Sequence, residues 1–141
     1  MSMPITLENT TEVTFGRRLL ARAAVGVARL LVRRSPLRLK QILERLSRGA
    51  DPASTARALA ARQAVVTVSS RCASQQCLQR SVATALLCRI SGVWPDWRTG
   101  VRTEPFRAHA WVEVDEHAVG ENEDMSLYRV MLSVPARRFS C

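Results

Sequence analysis

The sequence predicts an α+β fold in which helices come first and a small antiparallel sheet follows. Three observations carry that expectation. Apolar residues recur at helical spacing from Phe15 to about Val66. A second helical run opens at Cys77 and stops at Gly92. Beyond it, the pattern changes to the two-residue alternation of strands, punctuated by Pro, Gly and Asp-Glu turns.

The first predicted helix covers Phe15 to Arg34. Arg18, Arg22, Arg29 and Arg33 form one stripe, and Leu20, Ala24, Val27 and Leu31 are expected to form the buried face opposite. Ser35-Pro36 interrupts it. Leu39, Ile42, Leu43 and Leu46 mark a second helix that Gly49 stops. Asp51-Pro52 reads as an N-cap followed by Pro at the first position of a third helix. After the polar segment "CASQQ", the run "CLQRSVATALLCRISG" forms a fourth, with Leu78, Val82, Ala85 and Leu86 on one side.

"VWPDW" reads as a loop, "RTGVR" as a short strand and "TEP" as a turn. Phe106–Val114 is the clearest strand. Its small apolar row Ala108, Ala110, Val112 and Val114 reads as the buried face, and His109, Trp111, Glu113 and Asp115 share the other. Asp115-Glu116 or Glu116-His117 turns the chain back, Ala118–Glu121 returns alongside, and "LYRVMLSV" supplies a last strand.

Within its 141 residues the chain holds one domain's worth of material, with 47% hydrophobic and 23% charged residues. That balance excludes a disordered chain. Its +9 net charge is unevenly placed. Residues 1–70 carry eleven Arg and one Lys against four acids, while 71–141 carry nine Arg against eight acids. The expected organisation is a basic helical region over 1–70 and a core bearing the chemistry over 71–141, packed as one unit. A basic half suits nucleic acid, an anionic membrane or an acidic peptide. The near-neutral second half, without aromatic stacking motifs, argues against nucleic acid.

Met1 to Glu12 is not a signal sequence, and "LLARAAVGVARLLV" is too short and too charged to span a bilayer. The expectation is a cytoplasmic protein with reduced thiols and no membrane partner. Cys72, Cys77, Cys88, His109 and His117 lack the paired spacings of a zinc site, so no metal and no cofactor are expected.

Cys77 opens a helix, where exposed N–H groups and the helix dipole favour thiolate. His109 stands on a strand about thirty residues later. A thiol that attacks a carbonyl needs such a pair, and a third group must orient the imidazole. Cys72 is a rival nucleophile, and Cys88 reads as core. If Asp115-Glu116 is the turn, Val114 pairs with His117 and His109 with Asn122, which brings Glu121 or Asn122 beside His109. Glu121 is the first choice as orienter and Asp115 the alternative. The backbone N–H of Cys77, with Gln75 or Gln76, would face the oxyanion, and Trp111 would pack near the substrate.

The stretch "CLQRSVATALLCRISGVWPDWRTGVRTEPFRAHAWVEVDEHAVGE" resembles the transglutaminase-like, papain-related core of lasso-peptide leader peptidases, the microcin-processing type. The match lies in "C-L-x-R-S", the "LL" and Gly that follow, a "GV" strand, and "F-x-A-H-A-W-V-E-V-D". It extends from about Leu59 to Pro135, and more loosely over "ARAAVGVARLLVRRSPLRLKQILERL". The resemblance implies a Cys77–His109–acid triad, with the acid falling on Glu121 where the family usually has Asp. Glu116 stands where the family often has Gly. No winged-helix leader-recognition domain is apparent, which implies a separate leader-binding protein as partner, a precursor leader peptide as substrate and a macrolactam cyclase acting next. The rivals are an acyl transferase using the same site, and a non-catalytic basic protein of nucleic-acid or membrane surfaces.

Overall fold

The computed structural model describes residues 15–69, 77–121 and 123–136. Four helices and an antiparallel sheet make a mixed α+β fold, consistent with a papain-like core. The helices are α1 (Phe15–Leu31), α2 (Pro36–Ser47), α3 (Thr55–Val68) and α4 (Cys77–Ile90). The strands are β1 (Asp51–Pro52), β2 (Val93–Trp94), β3 (Asp96–Thr103), β4 (Phe106–Val114), β5 (His117–Ala118) and β6 (Arg129–Val134). One sheet has the order β5-β4-β3-β6, and β1 and β2 form a separate parallel pair.

α4 is the centre of the fold. Every residue from Gln79 to Cys88 is buried, because α1 and α3 pack on it from one side and β2, β3 and β4 from the other. A helix surrounded in this way needs no polar face, so the one-sided apolar pattern expected of it understates its burial. Its few polar groups are satisfied internally. Ser81 Oγ donates to Leu78 O at 2.9 Å and accepts the Trp97 indole N–H at 3.0 Å. Helices from before residue 70 and strands from after 71 contribute to the same apolar core.

α1 meets α4 through Ala21, Ala24 and Ala28. Of the face expected to be buried, Ala24 is buried and Leu31 packs against the core, whereas Leu20 and Val27 are exposed. Helix α1 carries two apolar stripes, and the one made of alanines allows the closer approach to a helix that is itself enclosed. The Ser35-Pro36 break is also the start of α2, with Ser35 Oγ accepting the Arg38 N–H at 3.3 Å and Pro36 in the first turn. Gly49, at φ +79°, ends that region.

Asp51-Pro52 does not cap α3. It forms β1, with the Asp51 N–H donating to Gly92 O and the Ala53 N–H to Trp94 O, both at 3.0 Å. Proline falls where the strand pair needs no donor and holds its predecessor extended. Ser54 caps α3 instead, accepting the Arg57 N–H at 3.2 Å. "VWPDW" is likewise not a loop: only Pro95 separates β2 from β3, and Trp94 and Trp97 are fully buried.

β4 spans the nine residues expected, and Val114 pairs with His117 across the Asp115-Glu116 turn. Both turn residues take positive φ, 51° and 69°, the backbone of a type I′ hairpin. The return strand is shorter than expected. Val119 N–H still donates to Val112 O at 2.9 Å, but Gly120 at φ +72° then turns the chain away. The anticipated His109–Asn122 pairing lies outside the described residues. The two faces of β4 also differ from expectation. Ala108 is exposed, whereas His109 and Trp111 are buried, because Tyr128 folds over them.

Candidate active site

Cys77 is the first residue of α4, so its thiol sits at the positive end of a helix dipole. His109 comes from the middle of β4, and Glu121 follows the Gly120 turn. The fold brings these three side chains together. His109 Nε2 meets Glu121 Oε1 at 2.5 Å, and the imidazole also interacts with the Cys77 side chain, which shifts the pKa of both groups. The backbone N–H of Ala110 also reaches the sulfur.

The charges follow from this geometry. Burial raises the Cys77 thiol pKa, but the hydrogen bonds from His109 and Ala110, with the charges of His109 and Arg80, outweigh it and bring it below the usual thiol value. Hydrogen bonds to Cys77 and Glu121 push His109 up to about 9 against the cost of burial. The two shifts act in the same direction, favouring thiolate with imidazolium over thiol with neutral imidazole.

Glu121 is held ionised. Burial acts to raise its pKa, but His109 and the guanidinium groups of Arg62 and Arg80 together bring it below the normal carboxylate value. Its second oxygen lies 3.6 Å from Arg62 Nη2 and 3.9 Å from Arg80 Nη2. One oxygen thus serves the histidine while the other serves two cations from α3 and α4.

Sequence reasoning missed both arginines. Arg80 had a signal, because it stands three residues after Cys77 and so shares its helix face. Arg62 comes from another helix, and nothing local marks it.

Trp111 packs over the histidine. Its ring stacks on His109 with centroids 6.0 Å apart, its N–H donates to Glu113 Oε1 at 2.8 Å, and it is 2% exposed. It therefore supports the imidazole from behind and does not line the cleft. Arg98 Nε, 3.0 Å from Glu113 Oε2, completes that arrangement. Tyr128 packs against both rings, and its hydroxyl donates to Glu123 Oε2 at 2.9 Å. Asp115 sits in the exposed hairpin turn, where its carbonyl accepts from His117 Nδ1, and Glu121 occupies the position beside His109. Gln75, Gln76 and Cys72 lie outside the described residues.

A cleft of about 620 Å³ opens beside Cys77 and His109. Leu39, Leu78, Trp97, Val101 and Leu132 make it predominantly apolar, and Arg34 stands on its rim. Cys88, in contrast, is enclosed in the core, and burial pushes its thiol up to about 12. Among the described residues, no three His, Cys, Asp or Glu side chains gather as metal ligands, and no helix is long and apolar enough to cross a membrane.

A thiol of lowered pKa at a helix start, an imidazole between it and a carboxylate, and an adjoining apolar cleft can perform acyl transfer from a peptide or amide to a second acceptor. Comparison with protein families gives a match to the transglutaminase-like superfamily over residues 21–133. No curated protein and no solved structure gives a significant match.

Proposed function

This chain belongs to the transglutaminase-like superfamily, a fold of cysteine peptidases and acyl transferases with a Cys-His-Asp triad, and we propose that it is a cysteine peptidase. Its substrate in this reading is a ribosomally made lasso-peptide precursor, cut in the cytoplasm between leader and core. A separate leader-binding protein presents the precursor, and a macrolactam cyclase uses the amine that cleavage frees. The observation that supports the reading is the position of His109, whose Nε2 meets Glu121 Oε1 while its ring interacts with the Cys77 thiol at the start of α4.

The Cys77 thiolate attacks the scissile carbonyl carbon, and the carbonyl electrons move to oxygen. The backbone N–H of Cys77 donates to that oxyanion, assisted by Gln75 or Gln76. Collapse expels the core peptide's amine, which takes its proton from the His109 imidazolium, and leaves a thioester on Cys77. Neutral His109 then removes a proton from water as it attacks the thioester. The leader acid departs and the thiolate–imidazolium pair is restored. Glu121 keeps its charge throughout and holds the ring in the required orientation. Glutamate here stands in for the superfamily's aspartate.

The test is mass spectrometry of a precursor peptide incubated with the protein, with and without a leader-binding protein, and with Cys77→Ala as control. A single cut at the leader–core junction that needs Cys77 and is enhanced by the partner is expected. A product carrying an added amine in place of water would replace the peptidase reading with transfer. No covalent chemistry under any combination would overturn both.

A further inference from the structure

We propose that the outward face of α1 is a docking surface for an acidic amphipathic helix of a partner protein. The face consists of large apolar side chains that the fold leaves uncovered. Phe15 is 77% exposed, Leu19 50%, Leu20 42%, Val27 47% and Leu30 62%. At 3.6 residues per turn they occupy an arc of about 140°, opposite the alanine stripe packed on α4.

The spacing fits a helical occupant. Leu20, Ala23, Val27 and Leu30 follow the alternating three- and four-residue steps of a coiled-coil seam. Gly26 lies on the same side with open space around it, which permits close backbone approach.

The charge selects the kind of helix. Arg18, Arg22 and Arg29 line one flank of the apolar row, and α1 contains no acidic residue. Among the described residues, none of the three takes part in an ion pair. The α1 helix of a second copy would bring no acidic residue to meet these arginines. A helix lying in anionic headgroups would spread basic residues along both flanks, whereas the other flank here is Leu20 and Leu31. An acidic helix satisfies both the seam and the flank.

The position gives the surface a use. The chain leaving α1 passes through Val32, Arg34 and Pro36, all of which line the cleft beside Cys77. A partner seated on α1 therefore stands at the cleft entrance and can deliver a peptide into it. This delivery role rests on the peptidase reading; the docking does not.

The experiment measures binding of two designed helical peptides that share a leucine seam, one flanked by Glu and one by Lys. Binding of the Glu peptide is expected, with at least about tenfold weakening in Val27→Glu/Leu30→Glu. Arg22→Glu/Arg29→Glu should transfer the preference to the Lys peptide. These residues are exposed, and circular dichroism verifies that each variant is folded. Failure of the Glu peptide to bind, or equal binding of both peptides, overturns the proposal. So does binding to phosphatidylglycerol vesicles without peptide binding, or a dimer in sedimentation that Val27→Glu/Leu30→Glu dissociates. Iodoacetamide labelling of Cys77 in the same samples reports separately on the nucleophile, so loss of one reading is distinguishable from loss of the other.

Discussion

The stem of Arg62 lies directly over Gly120: a β-carbon at that glycine would stand 2.6 Å from Arg62 Cδ and 2.8 Å from its Nε. This contact joins α3 to the segment that carries Glu121. The hairpin ladder ends at Val119, the left-handed turn at Gly120 redirects the chain, and Arg62 crosses it to reach the carboxylate.

Gly120→Ala therefore meets two penalties, a positive φ and a displaced guanidinium stem. A stability loss of about 1–3 kcal/mol is expected in denaturant unfolding. Activity should fall beyond what the unfolded fraction explains, because Glu121 loses its position. Unchanged stability would show that Arg62 can move aside at no cost.

How much of this site is legible in the sequence depends on whether its cause is local. A cysteine at a helix start and a nine-residue alternating strand each leave a pattern within a few residues, and they single out Cys77 and His109; the turn alone leaves Glu121 or Asn122 beside His109, because the departure of the chain at Gly120 has no ladder to mark it. The Arg62–Glu121 pair joins residues far apart in sequence through the packing of α3 on the sheet, and no short-range pattern encodes that. The wrong face of α1 has a different cause. Two apolar stripes share the helix, and only the enclosure of α4 favours the alanines over the larger side chains. Asp51-Pro52 misleads because Asp-Pro suits an extended pair as well as a helix cap.

The cations around Glu121 predict an acid-side stability effect. Its folded pKa is below the usual 4.5, so its stabilising contribution is present above that value and lost as pH falls through the folded one. Arg62→Met removes one cation and raises the folded pKa. The acid-side loss should then be smaller and be complete at a higher pH than in the parent protein, as followed by urea unfolding between pH 3 and 6. An unshifted profile would assign the depression to His109 and Arg80 alone.

The two described cysteines should differ sharply in alkylation. In a Cys72→Ser/Cys141→Ser background, iodoacetamide should modify Cys77 at neutral pH and spare Cys88 until the protein unfolds. Cys88 is 2% exposed with its thiol raised to about 12, whereas Cys77 is half-buried with its thiol depressed. The Cys77 rate should rise through that depressed pKa, and His109→Asn should move the rise to higher pH. Turnover needs the His109 proton as well, so it should decline above about pH 9, where the imidazolium is lost. Glu121→Gln should lower turnover by about 10²- to 10⁴-fold, the scale of losing an imidazole's orienting carboxylate.

Trp111 separates support of the histidine from contact with substrate. Its ring backs His109, its N–H is taken by Glu113, and its outer edge leaves no room for a side chain on Gly100, whose β-carbon would stand 3.0 Å from Trp111 Cη2. Trp111→Phe keeps a ring against the imidazole and gives up one hydrogen bond, so a stability loss of about 1 kcal/mol is expected. Trp111→Ala removes the support and opens a cavity beneath Tyr128, with an expected loss of about 3–5 kcal/mol. Because the indole does not line the cleft, the kinetic damage should fall on kcat with KM little changed. Under conditions where Trp111→Ala is still folded, kcat should partly recover in Trp111→Phe. A rise in KM with kcat preserved would instead make the indole a substrate contact and would require the ring to leave the position it holds over Gly100.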